Sequence, residues 1–238
     1  MNRVITIYRL SRLLRITMFF LAAIGIAMVI RRTLAINDLI RSVNPSGGPP
    51  FDTGFGRHPV ITYLHILPGM VFMILGPLQF LPGVRARYSL SHPWSRRVFI
   101  IAAYIVGISA LCMPFIMMPI GGLNEAAGSI LFALIFLVSL SKAVWYDRRK
   151  NITLYRENLI RAFAIGLAIA TIRPIMALFF AFSHLPPQTF FGTAFWIGFT
   201  LHLVAAESWI NYTRTPVSFK ADTSSIKSEH SHQADPFK

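Results

Sequence analysis

Six stretches, each close to 20 residues long and poor in charge, constrain this chain more than any motif it carries. A bilayer core about 30 Å thick is spanned by roughly 20 apolar residues in a helix, because in lipid every backbone N–H and C=O must find its partner within the segment. The stretches run over 13–30, 59–81, 98–118, 125–146, 157–182 and 190–212. Composition agrees: 54% of residues are hydrophobic and 13% are charged, about half the charged share of an ordinary soluble domain. The expected fold is therefore an all-α polytopic membrane bundle of about six transmembrane helices. A net charge of +14 would point to nucleic acid on a polar chain. Here the basic residues lie between apolar runs, so a membrane accounts for them and nucleic acid is not an expected partner. One cysteine, Cys112, excludes an intrachain disulfide framework and any site built from several thiolates.

Basic residues also suggest the orientation. With both termini in the cytoplasm, 18 of the 23 Lys and Arg fall on inner stretches, four (Arg31, Arg32, Arg41 and Arg57) on the outer side, and Arg173 within the membrane; cytoplasmic loops carry such an excess. The competing reading of the first stretch is a cleaved signal peptide. Against it, Arg31 and Arg32 follow at once and no clean small-x-small cleavage site precedes mature-looking polar sequence. Three regions result: 1–58, a first helix and an outer Gly/Pro-rich loop; 59–212, a five-helix membrane domain; and 213–238, a polar tail expected to be flexible and cytoplasmic. Residues 44–58 (NPSGGPPFDTGFGRH) should be loop, since proline lacks a donor and glycine is permissive. This loop reads as a connector or as a lid over the outer surface. His230 and His232 in the tail make a weak metal pattern that reads as incidental.

Ionisable groups inside a span are expensive unless they meet a partner or water, which makes them functional candidates. His65, Arg173, His202 and Glu207 qualify. At about 1.5 Å per residue, His65 lies roughly 9 Å from the outer end, Arg173 roughly 13 Å, His202 roughly 18 Å and Glu207 roughly 25 Å. Arg173 and Glu207 are thus too far apart in depth to pair. His65 and Arg173, with His202 below them, define a candidate ligand site in the outer half, with Thr171 and Glu125 as neighbours. Pro174 cannot donate to the Ala170 carbonyl and so weakens the backbone beside Arg173. Near the inner boundary, Arg161, Glu207 and Lys142 reach similar depth, and with Gln79, Asn158 and Glu157 they form a candidate inner polar cluster. Helix clamping and snorkelling would account for that cluster without any ligand. Ala162, Gly166 and Ala170 form a small-residue stripe suited to close helix packing.

Haem takes axial ligands, often two histidines, and His65 with His202 is the wholly intramembrane pair, separated by roughly 9 Å of depth. Haem is thus a cofactor the sequence allows without specifying. Cys112, Met113, Met117 and Met118 could suit copper(I), but methionines filling a helix between Pro114 and Pro119 explain them more simply. No phosphate-binding glycine loop, zinc spacing or nucleophile elbow is present, which leaves soluble-type hydrolase, kinase and nucleic-acid functions without support.

Four blocks together resemble the bacterial membrane proteins grouped as the domain of unknown function 2306 family. They are His65-Ile-Leu-Pro-Gly69 running into Gly76-Pro-Leu-Gln-Phe80; His92-Pro-Trp-Ser-Arg-Arg97; Asn158-Leu-Ile-Arg161 leading to Thr171-Ile-Arg173; and Ala206-Glu207-Ser-Trp209. Order and spacing match from about His65 to Trp209. The chain departs where members carry a histidine opening the fifth-helix block, here Tyr155 or Arg156, and where Gly-Arg is more usual than Arg96-Arg97. The resemblance implies a bacterial cytoplasmic (inner) membrane location and no mechanism. It adds weight to His65, Arg161, Arg173, Glu207 and His92, the last also readable as an interfacial residue at the start of the third span.

Two functional readings follow, and enzyme activity is left open by both. In one, the bundle binds a small hydrophobic or anionic ligand or a redox cofactor, haem or quinone. In the other, it is a transporter or a non-catalytic accessory protein of a membrane complex, its buried charges serving passage or packing. Six spans without a visible inverted repeat weigh against a standalone secondary transporter.

Overall fold

The computed structural model describes residues 2–41, 50–81 and 92–214. The described residues form seven helices and no strand: α1 (Asn2–Arg41), α2 (Pro50–Arg57), α3 (Pro59–Gln79), α4 (His92–Ile116), α5 (Gly122–Arg148), α6 (Ile152–Phe182) and α7 (Pro187–Thr213). All but α2 are long and apolar enough to cross a membrane. Large apolar side chains such as Val60, Phe115, Leu123 and Phe182 point outward, as expected where lipid is the solvent. The chain is an integral membrane bundle of six candidate spans.

Each connection has a local cause. His58 separates α2 from α3 with non-helical backbone (φ −123°, ψ 62°), because the following Pro59 disfavours the α region at the residue before it. Pro59 itself tolerates the first turn, where its missing N–H costs nothing. Gly122 turns the chain into α5 with φ +60°, and beside it a Cβ on Gly121 would lie 2.6 Å from the Gly192 nitrogen. Lys150 adopts φ 57° after α5, and Asn151 then caps α6 by accepting from the Leu154 N–H at 3.1 Å.

The loop expected over 44–58 is helical in part. Residues 50–57 form α2, led by a proline where a helix start needs no donor, and tied to α3 by the Thr62 hydroxyl, which donates to the Phe55 carbonyl at 3.0 Å. Residues 44–49 of that stretch, the tail from 215 onward with His230 and His232, and the inner-loop Arg85 and Arg87 lie outside the described residues.

α6 occupies the centre, packing against α5, α7 and α1, while α3 packs against α1 and α4 and α4 against α5. Its buried positions, from Tyr155 to Met176, surround the helix rather than forming one stripe, the pattern of a helix enclosed on all sides. Phe72 of α3 anchors the core, with ring centroids 5.0 Å from Phe99, 5.8 Å from Phe136 and 5.4 Å from Phe163. Glycine makes room for these rings: a Cβ at Gly166 would meet Phe72 at 2.4 Å and one at Gly76 would meet Phe163 at 2.0 Å. Gly166 thus belongs to the Ala162-Gly166-Ala170 stripe as a seat for a ring.

Candidate functional site

A cavity of about 390 Å³ lies among the helices. Its wall is mainly aliphatic and aromatic, with Phe72, Phe136, Phe195 and Phe199 contributing rings. Into it reach Arg32 of α1, His65 of α3, Glu125 of α5 and Arg173 of α6. Of the outer residues singled out in the sequence, His65 and Arg173 therefore line one space.

His65 Nδ1 lies 2.9 Å from Ser109 Oγ on α4. That hydroxyl is itself 2.6 Å from the Ile105 carbonyl and 3.0 Å from the Val106 carbonyl of its own helix. Glu125 Oε2 accepts from the Gly121 N–H at 2.7 Å and stands within electrostatic reach of Arg173. Arg32 is buried, at 8% exposure, and its guanidinium lies over the Phe55 ring, 4.0 Å from the centroid. α2 thus meets the rim of the cavity through a cation–π contact.

His202 takes a different place. Its Nε2 lies 2.7 Å from Thr171 Oγ1, and the part of α7 that lines the cavity is Phe195 and Phe199, one turn earlier. The two intramembrane histidines each engage a hydroxyl on a neighbouring helix and share no wall. Among the described residues no group of three or more His, Cys, Asp or Glu is arranged to hold a metal. Met113, Met117 and Met118 line the cavity, whereas Cys112 is exposed.

At the opposite end of the bundle the structure pairs Arg161 with Glu207. Nε donates to Oε1, and Nη2 donates to Oε2 at 2.9 Å. Beside this pair, Arg214 forks onto Glu157 with bonds of 2.9 and 2.7 Å. Such two-point guanidinium–carboxylate contacts fix orientation as well as charge. The Glu157 carboxylate also holds the Arg214 guanidinium above its ordinary pKa. Each pair feels the charges of the other, so the four groups form one network joining α6 to α7. Gln79 and Asn158 are buried near this end, but their amides donate to Leu75 and Leu154 carbonyls of their own helices, at 3.4 and 2.8 Å. Lys142 is exposed and stands apart from the network. His92 opens α4, and its side chain lies outside the described set. A third ion pair, Arg96 with Asp147 at 2.7 Å, joins α4 to α5.

Sequence reading missed Arg32, and it placed Glu157 near the inner boundary without its partner Arg214. Arg32 was legible in principle: Ala22, Gly25, Arg32 and Ile36 are all buried, and spacings of three, seven and four place them on one helical face. Ending the first span at Ile30 hid that continuity. Glu157–Arg214 gave no such signal, because its partners are 57 residues apart at the ends of two helices.

A family model described as "Predicted membrane protein (DUF2306)" matches residues 62–210. No curated protein and no solved structure significantly matches the chain.

Proposed function

The chain belongs to the DUF2306 family of predicted membrane proteins, and on that premise we propose that it is a ligand-binding membrane bundle whose cavity takes a small amphiphile, with a quinone-type redox molecule as the leading occupant. One observation carries the reading: a cavity of about 390 Å³ with largely apolar walls and a few polar groups gathered on it. That volume lies in the range of about 300–1,000 Å³ typical of small-molecule sites, which pair apolar walls with a small number of orienting groups. The arginines suit carbonyl or anionic oxygens, and the phenylalanines suit a ring or an alkyl chain.

Haem fits less well than a quinone, since His202 is occupied by Thr171 and lies off the cavity wall. Transport is also the weaker reading. Phe163 stands on α6 between cavity-lining Ile165 and Arg161, and its ring packs against Phe72 and Phe99, so aromatic packing lies along the helix between the cavity and the charge network. The network then serves to fasten α6 to α7. The excess of basic residues at the Arg161 end supports placing that end and both termini in the cytoplasm of a bacterial inner membrane.

The test is extraction of gently purified full-length protein, analysed by absorption and by mass spectrometry, in wild type and in Gly69→Leu. Gly69 lines the cavity, and a Cβ there would find only Val106, at 3.9 Å. The reading expects one amphiphile near stoichiometric amount in wild type and its loss in the variant. Identical extracts from both proteins would remove the cavity from any functional account, and a stoichiometric Soret band would replace quinone by haem.

A further inference from the structure

The chemistry of the occupant can be narrowed from one hydrogen-bond chain, an argument that rests on reading the cavity as a ligand site. Ser109 Oγ has carbonyl oxygens at 2.6 Å (Ile105) and 3.0 Å (Val106), and His65 Nδ1 at 2.9 Å. A hydroxyl owns one proton and two lone pairs. Were that proton directed at Nδ1, Oγ would face both carbonyl oxygens with lone pairs only, an electrostatic repulsion at contact distance. The proton therefore goes to a carbonyl, and Oγ accepts from an Nδ1–H. In the neutral imidazole a proton on Nδ1 leaves Nε2 as a bare acceptor.

His65 keeps partial exposure while lining the cavity, and Ser109 covers its Nδ1 edge. We propose that His65 makes the cavity selective for a ligand that donates a hydroxyl to Nε2: an apolar-tailed hydroquinone rather than the corresponding quinone. The rings of Phe72, Phe136, Phe195 and Phe199 on the same wall provide apolar faces for a planar headgroup. A quinone would set its carbonyl lone pairs against that of Nε2 and leave the nitrogen unsatisfied. Leaving a buried polar group without its partner costs roughly 5- to 150-fold in binding. A site that hydrogen-bonds a hydroxyl rejects the analogue lacking it for this reason. Ser109 is a positioning residue, acting through the tautomer it imposes on His65.

The experiment measures dissociation constants of a decyl-substituted benzohydroquinone, kept reduced under argon, and of its benzoquinone. It uses the full chain in nanodiscs, with thermal melts as a folding control. Wild type is expected to bind the hydroquinone at least about 5-fold more tightly. The preference should vanish in His65→Phe, shrink in Ser109→Ala and persist in Thr171→Ala, which disturbs the other histidine. Equal affinity for the two forms, or tighter binding of the quinone, in a protein whose binding is abolished by Gly69→Leu overturns the hydroxyl selectivity and leaves the cavity standing. If neither form binds folded wild type, the selectivity and the quinone-type occupant fail together. Should His65→Phe not fold, the wild-type ratio and Ser109→Ala still decide the matter.

Discussion

Two glycines on the cavity wall should respond oppositely to the same substitution. A Cβ on Gly69 would find only Val106 Cγ2, at 3.9 Å, which is ordinary contact. On Gly166 it would fall 2.4 Å from Phe72 Cε1 and 2.6 Å from Cζ. Phe72 is 1% exposed and packs against three other rings, so moving it away would disturb those contacts. Glycine in a helix interior costs about 0.8–1 kcal/mol relative to alanine, so Gly69→Ala should gain up to about 1 kcal/mol. For a chain of this size that is a melting shift of roughly +2 to +4 °C. Gly166→Ala gains the same propensity but meets overpacking that costs about 1–3 kcal/mol, so it should lower the melting temperature or leave it unchanged. The assay is thermal unfolding in detergent followed by the fluorescence of the four tryptophans, with added ligand absent. Destabilisation by Gly69→Ala equal to that by Gly166→Ala would mean that Gly69 does not face open space, and would refute the cavity geometry from which the function is argued.

Further outcomes follow from the charge network and the topology. In a double-mutant cycle on Arg161→Gln and Glu207→Gln, the pair should show a coupling of about 1–3 kcal/mol in thermal or denaturant unfolding; additive losses would mean that the two do not support each other. Arg214→Ala should lower the melting temperature, because it strands a carboxylate that is 9% exposed, and Glu157→Gln in the same chain should recover part of the loss. In a Cys112→Ser background, a cysteine placed at Gln188, which is exposed, should react with an impermeant maleimide from the periplasmic side; labelling from the cytoplasm would invert the proposed orientation.

The sequence alone determined the number of spans and the approximate limits of the last five, because a helix in lipid must satisfy its own backbone and must therefore appear as an unbroken apolar run; the first helix runs well past the expected 13–30 at both ends. It also matched Arg161 to Glu207 in depth, since rise per residue converts position into height. Azimuth was another matter. Whether a side chain at a given depth turns inward, and toward which helix, depends on how the other helices are arranged around α6. That arrangement put His65 against Ser109 and His202 against Thr171, two pairings whose members are 44 and 31 residues apart. It left Lys142 on an outer face, and it turned Arg32 from a flank of the first span into part of the cavity wall. The helical segment at 50–57 likewise depends on contacts outside itself, a hydroxyl from Thr62 and a guanidinium from Arg32. Local composition could not foresee a helix in a Gly/Pro-rich stretch. Height along the membrane is written into the one-dimensional order of residues, whereas rotation about each helix axis is fixed only when neighbouring surfaces interlock.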